Sequence, residues 1–149
     1  MAVQNSSNLA SQAFILSGQS LIKDNETLLQ DAGRATPLAF GTLMAKVAAS
    51  GKWVPFTDET ATTGAATARG VYVGDAVAAA DLVAGDVVGA PILVGGSCTI
   101  DGQQLVIENS KTLGTVVGAT TVNARTVRDD LERFGIFVEE TIDIDGYEN

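Results

Sequence analysis

Apolar residues in this chain come in short runs separated by glycine, proline and polar residues, rather than in long stripes of helical period. From Met1 to about Arg34 the sequence is rich in Ser, Asn and Gln, with small apolar islands at Phe14-Ile15-Leu16, Leu21-Ile22 and Leu28-Leu29. Such islands are too sparse for a core and too apolar for an inert linker, so the pattern predicts an arm over residues 1–34 that orders on contact with a partner. Fully extended, about 34 residues reach on the order of 110 Å. A fraying tail and a β-hairpin belonging to the domain are the alternatives.

From Pro37 onward, apolar runs of strand length lie between glycine and proline marks. Lys52-Trp53-Val54-Pro55-Phe56 and Gly70-Val71-Tyr72-Val73-Gly74 read as strands flanking a Thr/Ala/Gly-rich loop, Thr57 to Arg69. Gly95-Gly96 predicts a primed turn joining Ile92-Leu93-Val94 to Ser97-Cys98-Thr99-Ile100, and Asp101-Gly102 predicts a second turn into Gln103-Gln104-Leu105-Val106-Ile107. Together these runs would form a three-stranded meander. A single helix is expected where Val127, Leu131 and Phe134 fall at i, i+4 and i+7, with Thr126 and Asp129 spaced as a capping box and Gly135 as the stop. Ile136-Phe137-Val138 then begins a last strand, and Thr141 to Ile144 alternates like an exposed edge.

Composition narrows the chemistry. The 149 residues suit one domain with a sizeable core, and 46% hydrophobic against 5% aromatic content means a core of Val, Ala, Leu and Ile. With 16 glycines, this favours a mainly β fold. The chain has no histidine, which removes histidine-dependent nucleophilic catalysis and histidine-ligated zinc. Its single cysteine, Cys98, allows neither an intramolecular disulfide nor a cysteine metal cluster and reads as a small buried residue.

Nine Lys and Arg against 18 Asp and Glu leave a net charge of −9, which repels nucleic acid and anionic lipid. The longest nearly apolar run, Val87 to Val94, is too short to cross a bilayer. The first residues lack the pattern of a secretion signal, so synthesis in a cytoplasm is expected. Asp75, Asp81 and Asp86 sit where aspartate caps turns. Asp143-Ile144-Asp145-Gly146 echoes the start of a calcium loop, but the three residues that follow it are too few to reach the closing glutamate of a twelve-residue loop, so an EF-hand site is not expected. Neither phosphate-loop nor dinucleotide glycine spacing is present. These readings give no enzyme, cofactor or metal, and they leave the acidic C-terminal segment as a solvated negative face.

The order of features from Ala35 to Val138 resembles the lambda-type head decoration proteins of tailed bacteriophages. The resemblance rests on Ala35-Thr36-Pro37-Leu38 after a polar arm, the tryptophan strand Lys52-Trp53-Val54, and the loop Thr63-Gly64-Ala65-Ala66. It continues through Gly70-Val71-Tyr72-Val73, Gly95-Gly96-Ser97-Cys98-Thr99-Ile100 and the closing Phe134-Gly135. The chain departs from that pattern by extra residues in the arm, between Leu113 and Asn123, and after Glu139.

The resemblance implies a compact β-tulip-like domain over residues 35–144 with one C-terminal helix, an arm over 1–34 and an acidic tail over 145–149. It also implies a homotrimer on the outer surface of the virion, at threefold and quasi-threefold positions of the expanded head, cementing the major capsid protein against DNA pressure. Phe14, Ile15, Leu16, Leu21, Ile22, Leu28 and Leu29 are then the expected capsid contacts of the arm, whose removal should leave the domain folded. Pro37, Leu38, Trp53, Val71, Tyr72 and Phe134 are expected in the core or between subunits. Partners outside protein, whether nucleic acid or membrane, are not expected. A phage tail or fibre module and a ligand-binding β-barrel are the alternative readings.

Overall fold

The computed structural model describes residues 14–117 and 124–140. Its largest element pair is built from two long strands. β1 (Ile15–Leu28) runs antiparallel to the entry-to-exit length of a later strand, from Ile15 opposite Ile100 to Leu28 opposite Val87. In chain order the other elements are β2 (Leu43–Lys46), β3 (Trp53–Pro55), β4 (Ala68–Tyr72), α1 (Ala79–Ala84), β5 (Val87–Asp101), β6 (Val116–Val117), β7 (Arg125–Thr126), α2 (Val127–Arg133) and β8 (Ile136–Glu139).

Six strands form one sheet in the order β1-β3-β2-β4-β5-β8, and β1 also pairs with β5, so the first five strands close on themselves. β6 and β7 make a separate two-stranded pair. The fold is mainly β, in one sheet domain with few helices, as the glycine-punctuated pattern predicts.

Alternation explains how short strands bury both faces. On β2, Leu43 and Ala45 join one apolar cluster while Met44 joins the other. On β4, Val71 and Tyr72 split in the same way, as do Leu93 and Ile92 on β5. The first cluster is completed by Phe14, Phe56, Ile136, Val138 and the Val127 and Leu131 stripe of α2; the second by Leu28, Leu38, Trp53, Val77 and Leu82. Strands covered on both faces read as apolar runs, which is the pattern of Val87 to Val94.

α2 forms as its sequence predicts. Thr126 Oγ1 accepts the Asp129 N–H, and the Asp129 carboxylate accepts the Thr126 N–H at 2.8 Å, a complete capping box. Gly135 ends the helix at φ +83°, where a side chain would be strained. Helix α1 was not expected. Its Ala-rich stretch has high helix propensity but no side-chain cap at Ala78, so the residues carry little boundary signal.

Three sequence expectations are corrected. Gly95-Gly96 is not a turn: β5 runs straight through it, from Val87 to Asp101. The glycines serve close approach instead, because a Cβ on Gly96 would lie 2.3 Å from the Gln19 carbonyl oxygen and one on Gly95 2.4 Å from that of Phe134. Asp101-Gly102 does turn, with Gln104 N–H donating to Asp101 O at 3.1 Å, but no hairpin strand follows it. β5 is already paired with β1 on one side and β8 on the other at Cys98 to Ile100, so residues 103–107 have no edge to join. Val106 makes an isolated bridge to Thr42.

The third correction concerns the arm. Residues 14–34 belong to the domain, and no domain boundary falls at Arg34. β1 lies in the sheet, and the residues after it are tied to α1 and the turn that follows it: Asp31 N–H donates to Leu82 O at 2.9 Å and Gln30 N–H to the Asp86 carboxylate at 2.8 Å. Neither alternative, a fraying tail or a β-hairpin, describes residues 15–28, which form one strand paired with β5. Residues 1–13, the Thr141 to Ile144 alternation and the 145–149 tail lie outside the described residues.

Candidate functional site

The residues expected to grip a capsid are divided by β1 between the core and solvent. Phe14 is fully buried and meets Phe40 edge-to-face at 5.3 Å between ring centroids, and Leu28 is buried in the second cluster. Both are corrected from partner contacts to core, since the chain itself covers them. Ile15 and Ile22 are partly buried against the first cluster. Leu29 is half-buried and donates its N–H to Trp53 O at 2.9 Å. Leu16 and Leu21 are left in solvent, 38% and 53% exposed.

Of the residues expected in the core or between subunits, Leu38, Trp53, Val71 and Tyr72 are buried, Phe134 is half-buried and Pro37 is exposed. Tyr72 donates its hydroxyl to Asp75 O at 2.5 Å, and burial, aided by the Asp75 charge, pushes its phenol well above the usual range. The Arg69 guanidinium lies 5.1 Å from the Phe134 ring centroid, and the Lys46 ammonium 5.4 Å from that of Trp53.

Beyond Leu21, β1 is held to the closed part of the sheet; before it, β1, the second half of β5 and β8 form a three-stranded ribbon. Register assigns its faces. Cys98, Ile100, Ile136 and Val138 point to the core. Their alternates, Ser97 and Thr99 of β5 and Phe137 of β8, share the opposite face with Ser17, Gln19 and Leu21, because Ser17 pairs Thr99, Gln19 pairs Ser97 and Thr99 pairs Phe137. Phe137 is 43% exposed. This outer face is uncharged from Phe137 to Leu21, bounded by Glu139 at one end and Lys23 at the other. Sequence reasoning noticed Leu21 but not Ser97, Thr99 and Phe137, because their face depends on the register with β1.

Among the described residues, β8 at the end of the sheet order and the β6–β7 pair leave strand sides without a partner strand, as do β3 and β1. β3 pairs with β2 on one side and meets β1 only at Trp53, and Pro55, with no N–H to offer, sits on the open side. β1 between Ile15 and Ile22 pairs only with β5, and those eight residues contain neither proline nor charge.

The charged side chains are mostly occupied with the fold. Arg34, side chain 7% exposed, is clamped by Glu108, with its Nε and Nη2 also donating to the carbonyls of Thr36 and Pro37 at 2.7 and 3.1 Å. Lys52 pairs with Asp86 at 2.5 Å and Lys111 with Glu59 at 2.6 Å, which hold the two carboxyls below their usual range. Asp130, fully buried, takes Arg125 and lies 3.8 Å from Arg133, while its other oxygen accepts the Ala68 N–H at 3.3 Å. Arg128 pairs with Glu140 at 2.6 Å. The N–H and hydroxyl of Thr60 lower the Asp58 carboxyl. Burial raises the Cys98 thiol, which leaves it protonated and unreactive at neutral pH.

Among the described residues no three His, Cys, Asp or Glu are grouped to hold a metal, and no helix is long and apolar enough to cross a membrane. A cleft of 740 Å³ opens between the 29–37 segment, Val54 to Thr57 and Val106 to Asn109. No protein-family model matches the chain, and no curated protein matches it.

Proposed function

We propose that this chain is a non-enzymatic capsid decoration protein of a tailed bacteriophage, attached as a homotrimer to the outer surface of the expanded head, where it cements the major capsid protein. The observation that carries the proposal is the β1 edge. A long, uncharged strand side without proline is a template for another strand, and soluble proteins usually blunt such edges, as Pro55 does on β3. An extended capsid segment laid along Ile15 to Ile22 would gain backbone hydrogen bonds, with Leu16 and Leu21 as side-chain contacts. Three copies on one trimer multiply modest affinities through effective concentration.

Charge supports the same reading. Among the described residues, six of the nine bases are in ion pairs and Lys46 and Arg69 lie over aromatic rings, so no basic surface is assembled there for nucleic acid. The two faces of the sheet are filled by side chains, which favours a structural role over a ligand-binding barrel.

The test is sedimentation of the purified chain with expanded heads of the phage that encodes it. Saturable binding near one chain per major capsid subunit is expected. A chain that stays at the top of the gradient with expanded heads overturns the proposal.

A further inference from the structure

The Trp53 side chain is 3% exposed, and among the described residues its Nε1 is the one buried side-chain nitrogen or oxygen without a hydrogen-bond partner. A buried donor left unpaired carries its full desolvation cost, and folded proteins seldom tolerate one. Lys46 raises the stakes here. Its ammonium lies 5.4 Å from the ring centroid, and a cation on the π-face draws electron density from the indole and strengthens Nε1–H as a donor.

Beside Trp53 lies a cavity of 10 Å³, between Leu38, Met44 and Leu82 of the second cluster and the residues 31–34 that follow β1. One water molecule needs on the order of 10–15 Å³ and two to four polar partners. We propose that this cavity is the binding site of a single internal water that accepts the Trp53 Nε1–H. Asp31 and Arg34 are the other polar residues on its wall. Arg34 donates to Thr36 O, to Pro37 O and to both Glu108 oxygens, which uses four of the five N–H groups of a guanidinium and leaves one. One Asp31 carboxylate oxygen accepts the Gly33 N–H, and the second is a further acceptor. The donors of Trp53 and Arg34 argue against a cation, and the Asp31 carboxylate argues against an anion. An apolar occupant would strand Nε1–H, so a neutral molecule of one heavy atom remains. The water joins β3 to the segment after β1. Leu29, Asp31, Arg34 and Pro55 line both this cavity and the 740 Å³ cleft, which is therefore its route to solvent.

Trp53 is the only tryptophan, so a single indole signal reports the site in the full-length chain. The experiment is magnetisation transfer from water to the Trp53 indole proton, recorded as NOE and as ROE. A cross-peak of opposite sign in the two spectra is expected, the mark of a bound water, whereas proton exchange with solvent gives the same sign in both. A crystal structure of the same chain is expected to place one water oxygen about 2.7–3.2 Å from Nε1. Benzothienylalanine in place of Trp53 keeps the ring shape without an N–H, and is expected to lose that water. A cross-peak from exchange alone, an indole N–H that donates to a protein acceptor, or a water that persists beside the analogue overturns the proposal.

Discussion

Gly18 shows what one residue settles at the crossing of β1 and β5. It sits at φ +84°, and a Cβ there would fall 2.1 Å from the Ser97 carbonyl oxygen, a backbone atom that cannot swing away. Gly18→Ala is expected to destabilise by about 2 kcal/mol or more through combined strain and overpacking, seen as a lowered melting temperature; an unchanged one would mean that β1 does not cross there. At α2, Thr126→Ala removes the cap and is expected to cost about 1 kcal/mol.

The reciprocal group gives a pH test. The N–H and hydroxyl of Thr126 hold the Asp129 carboxyl below its ordinary value of 3.8. A depressed folded value means that the stabilisation is complete above the unfolded one and is lost as pH falls through the folded one. Asp129→Asn should therefore melt below the parent at pH 7, with the gap closing as pH drops under 3.8. A gap independent of pH would show that the carboxylate is not engaged.

At the scale of elements, β1 carries the largest change in expectation. Its composition, with Ser, Gly, Gln and Asn through the middle, is that of a tail, and no period-2 alternation marks it. It is a strand because β5 offers fifteen residues of backbone to pair with, and because Phe14 and Leu28 pin its two ends into different clusters. Leu28→Ala is expected to cost 2–5 kcal/mol, roughly the range for a buried leucine, whereas Leu21→Ala, half-exposed, should change stability by less than about 0.5 kcal/mol. Equal effects of the two would contradict the placement of β1. Removing residues 1–34 is now expected to unfold the domain, to be read by circular dichroism, since it strips a strand and two core side chains.

Across the whole molecule, charge is divided. Among the described residues most bases are engaged in ion pairs or over aromatic rings, acids exceed bases by nine in the sequence, and the outer ribbon face and the β1 edge from Ile15 to Ile22 carry no charge. On the proposed decoration reading the grip lies in uncharged contacts, so head binding should survive high salt. Loss of binding on raising salt would place the grip on ion pairs instead.

Local signals were legible in the amino-acid order itself. Thr126, Asp129 and Gly135 specify α2 because a capping box and a helix stop are made by neighbours in sequence. Val71 and Tyr72 mark β4, and the missing histidine and lone Cys98 strip away whole classes of chemistry. What only the tertiary structure decided was non-local pairing. Gly95-Gly96 is chemically fit for a turn and for a close crossing, and the approach of Gln19 and Phe134 selected the crossing. Residues 103–107 have strand composition but no edge left to join. β1 has tail composition but an edge waiting for it, because a strand is completed by its partner's backbone, which the strand's own side chains do not encode.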